Sequence, residues 1–400
     1  MNIRNKITLV LDFSFIGNYI CNGGKDMLLK FTVDNYRGFK TPVTIDFTKT
    51  HDYKFNQQCI KNGLLNTIII YGRNGSGKSN LGFALFDIVG LLTDKTIAHQ
   101  QLDDGCFVNA DSGRREVSFE YVFSNNNRII KYSYRKTSPK KLSYEELSVN
   151  NTKIYSFDYI NRKAELLHLD KIDAPNLNLD YFEGNFPLLR HIANNTMQKE
   201  DSVVKFLMNY VSHMLWFRSL QENGYIGLKT GSDNLDTWII DNNLLKEFDE
   251  FLRNIAGIET NLSYATVKVN QVPVKLLIDK HKNNSLLFDN IKSSGTSALE
   301  LLFYWSKSFN DVSFLFMDEF DAFYHYDLAK EVVKYVSSFT NMQTIFTTHN
   351  PYLASNDLLR PDCYFTLSKG ELKSFADRTD RELREGHNLE KMLKNGEFDD

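Results

Sequence analysis

The chain has 400 residues, 42% of them apolar and 24% charged, and a net charge of -3. That length can bury a sizeable core, either as one large domain with an insertion or as two domains. A pI near 6.3 excludes the global basic field that gathers nucleic acid or anionic membrane, and no apolar run reaches the ~20 residues that span a bilayer.

Cys21, Cys59, Cys106 and Cys363 are widely spaced and form no C-x-x-C pair, which argues against zinc and a disulfide framework and for reduced thiols in the cytoplasm. At the start, ITLVLDFSFIGNYI imitates a signal peptide, but Asp12 interrupts it and no small-residue cleavage site follows. Residues 1-26 therefore read as an N-terminal extension, with Met27 as an alternative start. From Met27 to Phe47, alternation in LKFTV and VTIDF predicts two strands about a turn at Asp34 to Gly38.

The stretch TIIIYGRNGSGKSN, Thr67 to Asn80, fits G-x-x-x-x-G-K-[ST] at Gly72, Gly77, Lys78 and Ser79. An apolar strand, Ile68 to Tyr71, precedes it, and Leu81, Leu85, Ile88, Val89 and Leu92 follow at helical spacing. Glycines at 72, 75 and 77 let successive N–H groups turn inward around a polyphosphate, and the helix that opens near Lys78 adds its dipole. Asn74, Gly75, Ser76, Gly77, Lys78, Ser79 and Asn80 are the expected phosphate-binding residues, for ATP with Mg²⁺. Lys78 suits the β- and γ-phosphates, and the Ser79 hydroxyl suits the metal.

Residues 116-160 read as an antiparallel meander, in VSFEYVF, RIIKYSYR, KLSYEELSV and KIYSFDYI, with SNNN as one turn. From Asn178 to Gly257 the period becomes helical, as in SVVKFLMNYVSHMLWF and LLKEFDEFLRNI, which predicts a helical insertion too short for a coiled-coil arm. Short strands return in TVKV, VKLLIDK and SLLFDNI, and KSSGTSALELLFYW reads as a turn opening a helix. The run Phe314 to Met317 ends in Asp318 and Glu319, which places two acids at the carboxyl end of a buried strand, where open α/β sheets bind ligands. Asp318 suits the outer sphere of Mg²⁺, and Glu319 is the expected catalytic carboxylate that orients the attacking water. His349 follows a further apolar strand, Gln343 to Phe346. The expected parts are thus 1-26 (extension), 27-177 (core with phosphate loop and β lobe), 178-257 (insertion) and 258-400 (the rest of the core).

In this order the motifs resemble the ABC/SMC-like class of P-loop ATPases. The resemblance implies an α/β fold: an ABC-type ATPase head with a parallel core sheet, an antiparallel β lobe and a helical insertion. It also implies roles for residues. Ser293 and Gly295 in KSSGT stand where the class has its signature serine and second glycine, closing over the nucleotide of a neighbouring subunit, while Lys292, Ser294 and Thr296 depart from the transporter form. His349 matches the catalytic switch histidine, and Asp321 matches the loop that crosses the dimer interface. His325 resembles a histidine found after the acidic pair in a bacterial subgroup. Gln100 and Gln101 are the candidates for the Q-loop glutamine, Arg37 reads as a solvated turn arginine, and the adenine contacts are left open.

A closer resemblance, to small bacterial ATPases of anti-phage defence, rests on FTVDNYRGF, SSGT, DEFDAFYH, TTHNPYL and REGHNLEKMLKNGEFDD. It implies a homo-oligomer, at least a dimer with a hexamer as one form, that senses a viral trigger protein and releases a TOPRIM-type toxic nuclease effector. About fifty residues follow His349, too few for an appended TOPRIM domain, so the effector is expected on another chain. The competing reading is a DNA-repair-type ATPase that clamps a duplex, which the charge balance and short helices support little. Direct contact with DNA is left open, a transporter ATPase is a third reading, and no membrane partner is expected.

Overall fold

The computed structural model describes residues 26–93, 95, 106–180, 182–218, 224–227 and 235–399. Apart from Asp26, the N-terminal extension lies outside the described residues, as do Gln100 and Gln101. Strands β1 (Met27–Asp34) and β2 (Val43–Asp46) pair antiparallel around the expected turn, where Asn35 and Arg37 take left-handed backbone. A short hairpin, β3 (Ile60–Lys61) and β4 (Leu64–Leu65), leads into β5 (Thr67–Tyr71), which is buried throughout. Its β-branched run suits a strand covered on both faces. After the loop come α1 (Lys78–Leu85) and α2 (Asp87–Leu92).

The meander comprises β6 (Val117–Asn125), β7 (Arg128–Ser138), β8 (Lys141–Val149), β9 (Thr152–Asp158) and β10 (Lys163–Leu166). With β1 and β2 it makes an antiparallel sheet in the order β10-β9-β8-β7-β6-β1-β2. Two hairpins turn on Asn126-Asn127 and Asn150-Asn151, whose φ values lie between 47 and 62°. Asparagine tolerates that left-handed backbone, and the resulting mirror-image turn matches the twist of the strands.

Next come α3 (Leu188–Asn195), α4 (Val203–Ser212), β11 (Met214–Arg218), β12 (Gly224–Gly227), α5 (Leu235–Asp241) and α6 (Leu245–Ala256). A three-stranded sheet of β13 (Leu262–Val269), β14 (Val272–Lys280) and β15 (Ser285–Leu287) precedes α7 (Phe288–Ile291) and α8 (Ser294–Ser306). The chain then forms β16 (Phe314–Asp318), α9 (Tyr326–Ser337) and β17 (Gln343–Thr348). It closes with β18 (Tyr364–Ser368), β19 (Glu371–Ser374), α10 (Phe375–Arg378) and α11 (Leu389–Lys394).

The core sheet runs β12-β11-β16-β17-β5-β18-β19, with parallel pairing from β11 through β18 and antiparallel strands at both edges. Helix α1 is caught between the two large sheets. A Cβ on its Gly82 would lie 2.9 Å from both Phe316 and Trp216 of the core sheet, while Tyr121 of β6 donates to Ala84 O at 3.0 Å. On the lobe side, the buried Lys136 Nζ lies 2.6 Å from Asp87 of α2, so the lobe grips the segment that leaves the phosphate loop. The architecture is therefore the expected α/β head, with a parallel core, an antiparallel lobe and added helices.

The segment 178-257 departs from a purely helical reading, because β11 and β12 inside it belong to the core sheet. MLWF continues the apolar pattern of SVVKFLMNYVSH, and a short apolar run cannot be assigned to helix or buried strand by period alone. The fold decides it: Trp216 is fully buried, and β11 lies in register beside β16. Among the described residues, no helix is long and apolar enough to cross a membrane.

Candidate functional site

Parallel pairing brings the carboxyl ends of β5, β17 and β16 to one edge of the core sheet. From β5 the chain enters the loop Gly72 to Gly77, where Gly75 and Gly77 have φ of 80 and 104°. Residues with a Cβ rarely adopt such backbone, and at Gly77 the added atom would also stand 2.8 Å from the Phe39 ring. Lys78, at 4% exposure, turns back over the loop and donates to Gly72 O at 2.7 Å. Its Nζ lies 3.3 Å from Glu319 Oε1.

From β16 come the two acids. Asp318 accepts from Ser79 Oγ and from Thr347 Oγ1, each at 2.7 Å. Burial pushes its carboxyl above the usual range, the two hydroxyls oppose this, and the neighbouring Glu319 charge adds to it. Glu319 has a φ of 49°, a left-handed conformation that costs a non-glycine residue about 1 kcal/mol or more. Its N–H donates to Thr347 Oγ1 at 2.8 Å, and its Oε2 lies 3.4 Å from His349 Nδ1. Lys78, Ser79, Asp318, Glu319 and His349, distant in sequence, thus form one connected set with Thr347 at its centre. Ser79 and Asp318 offer a hydroxyl and a carboxylate already side by side, the hard oxygen donors that Mg²⁺ prefers.

A cavity of about 970 Å³ opens beside the loop, with Gly72, Asn74, Gly75, Ser76, His349 and Lys369 in its wall. Ser76 Oγ is buried and makes no hydrogen bond among the described residues. Asn80 faces another partner, since its Oδ1 accepts from Arg37 Nη1 at 2.8 Å. This corrects the reading of Arg37 as a solvated turn residue: its guanidinium also stacks 4.5 Å from the Phe83 ring, which pins it beside α1.

Ser293 caps α8, its Oγ accepting from Thr296 N at 3.1 Å. A Cβ on Gly295 would lie 2.9 Å from Phe323 O, so this turn packs against the loop that follows the acidic pair. No hydrogen bond among the described residues links either residue to Gly72–Ser79. Asp321 turns inward on its own chain. It is 8% exposed, with Oδ2 accepting from Thr348 Oγ1 at 2.9 Å, so it braces the end of β17 instead of standing on an open face. Burial raises its carboxyl, and the Thr348 hydroxyl opposes the rise. His325 remains on the surface, its ring 4.3 Å from that of Tyr326.

Two participants were not anticipated. Thr347 joins both acids, and only knowledge that β16 and β17 are neighbours could reveal it. Arg218 ends β11 directly opposite Asp318, with its guanidinium 4.7 Å from Phe83 and its buried Nε without a hydrogen-bond partner among the described residues. Recognising MLWF as a strand would have exposed it.

Comparison with protein-family models matches residues 68–355 to the family described as "AAA domain, putative AbiEii toxin, Type IV TA system". No curated protein matches. Similar solved structures include the SMC head bound to the C-winged helix domain of ScpA, at 16% identity over 87% of this chain and 96% of that chain, with a TM-score of 0.45. The SMC head domain from Thermotoga maritima is 13% identical over 89% and 100%, with a TM-score of 0.42. A third is the Smc head domain with an extended coiled coil bound to the C-terminal domain of ScpA derived from Pyrococcus furiosus, at 15% over 93% and 98%, with a TM-score of 0.44.

Proposed function

The chain belongs to this family of AAA domains, and from that premise we propose that it hydrolyses ATP as the sensor and scaffold subunit of an anti-phage defence system. The observation that carries the ATPase reading is the unbroken run of contacts from Ser79 through Asp318 and Thr347 to Glu319, Lys78 and His349. Lys78 binds the β- and γ-phosphates over a loop whose N–H groups face the same charge. Ser79 and Asp318 would hold Mg²⁺, which when bound would neutralise phosphate charge. Glu319, held between Lys78 and His349, orients the attacking water and accepts its proton. In this reading Ser293 and Gly295 close over the nucleotide of a second copy of the chain.

The scaffold half of the proposal rests on the motif resemblance, which is greatest to AriA, the ATPase subunit of the PARIS system. In this reading an ATP-closed homo-oligomer holds a TOPRIM-type nuclease, and a viral protein shifts the assembly to a state that lets it go. The nucleotide can bias that balance only by its differential affinity for the two states. The test is purification of the wild-type protein from cells expressing its native operon, followed by phage challenge. Co-purification of a TOPRIM-type subunit is expected, with growth arrest on challenge that Lys78→Ala and Glu319→Gln abolish. Recovery of duplex DNA alone, or arrest by this chain without its neighbour, would overturn the reading, the first outcome in favour of a DNA-clamping ATPase.

A further inference from the structure

Lys292 is the residue of KSSGT that departs most in chemistry from the transporter form, and the structure gives it surroundings that a solvated lysine would not have. It sits between α7 and α8, with its backbone N–H donating to Phe288 O at 2.9 Å. Its side chain turns away from solvent to 15% exposure. There Nζ meets Glu300 Oε2 of α8 at 2.7 Å and Asp236 Oδ1 of α5 at 3.6 Å, and pairs with Asp289 of α7. A single cation therefore ties three helices together directly behind Ser293 and Ser294, which are exposed.

The charge balance makes the tie strong. Glu300 is 1% exposed, and burial together with its contact to Asp236 pushes its carboxyl up to about 8, with Lys292 opposing. Burial alone would weaken the lysine's charge, but the attraction of Glu300, Asp289 and Asp236 outweighs it and holds the ammonium above its usual range. Removing the cation leaves the buried Glu300 beside Asp236 without its ion-pair partner, a change that moves helices instead of merely losing a contact.

We propose that Lys292, anchored by Asp236, Asp289 and Glu300, is a positioning residue that sets the Ser293–Gly295 turn for the nucleotide held by the neighbouring subunit. The inference rests on the composite site proposed above, and subunit mixing separates the two. Lys292→Met should bind ATP like wild type, because its loop half is untouched, while its ATPase rate falls at least ~10-fold. Mixed with Lys78→Ala, it should recover activity, since each mixed pair has an intact loop on one subunit and an intact turn on the other. Ser293→Arg mixed with Lys78→Ala serves as the reference.

Recovery with Ser293→Arg but not with Lys292→Met would overturn the positioning role and leave the composite site standing. Full activity of Lys292→Met alone would do the same. Recovery in neither mixture would overturn both. Lys292→Arg, which keeps the cation, should retain most of the activity. Should the methionine variant fail to fold, the isosteric Glu300→Gln takes its place in the same mixture, with the same pattern expected at smaller amplitude.

Discussion

Two buried carboxylates, one in each large sheet, show how the same group can serve opposite purposes. Glu145 of β8 is fully buried and accepts from Tyr132, Tyr155 and Tyr159 and from the backbone N–H groups of Leu188 and Leu189 at the start of α3. Backbone donors cannot leave without unwinding the helix, so this acid is locked and acts as a peg between lobe and helix. Asp318 of β16 is nearly as buried, yet its two donors are the hydroxyls of Ser79 and Thr347. Hydroxyls rotate and can exchange an acid for a metal ion or a water at little cost. Burial alone does not mark a functional acid; the mobility of its donors does.

This contrast can be broken by experiment. The largest effect is expected next to the exchangeable acid: Glu319→Gln keeps shape and ATP binding but should lower turnover ~10³-fold, about 4 kcal/mol of barrier, read by phosphate release beside equilibrium ATP binding. Loss of binding equal to that of Lys78→Ala would show that Glu319 holds substrate instead of orienting water. Glu145→Ala should act on the other axis. It removes the acceptor of Tyr132, Tyr155 and Leu189 N–H and one acceptor of Tyr159 and Leu188 N–H, which keep other partners, so denaturant titration should show a loss of about 3–5 kcal/mol, with ATPase activity per folded molecule unchanged. The smallest effect is expected from Thr347→Val, which removes the hydroxyl between Asp318 and Glu319: turnover should fall ~10-fold, about 1.4 kcal/mol, with little change in melting temperature. A stability loss as large as that of Glu145→Ala would mean the two acids do not differ in kind.

Much of the site was legible because its pieces are short and contiguous. Gly72 to Ser79 is one turn with fixed spacing, and Asp318 and Glu319 sit at the abrupt end of an apolar run. What could not be read depends on which strands lie side by side. Thr347 gains its meaning from the pairing of β16 with β17, and Arg218 from that of β11 with β16. The inward turn of Asp321 likewise follows from Thr348 on the adjacent strand. The Lys292 cluster unites residues from three helices, and no local pattern joins positions 236, 289 and 300. In the lobe the SNNN turn was plain, whereas nothing in KLSYEELSV marked Glu145 as the acid that meets the start of α3.

The close approach of Gly295 to Phe323 O has a consequence for timing. With no room for even a methyl group between them, the turn and the loop that begins at Glu319 move as one piece, like two teeth of a gear already in mesh. A displacement of the loop after Glu319 would therefore press on Ser293 and Gly295 of the same chain. In the composite site proposed above, that turn would face the other subunit's nucleotide, so nucleotide binding at one site would bias binding at the other, and by reciprocity the reverse.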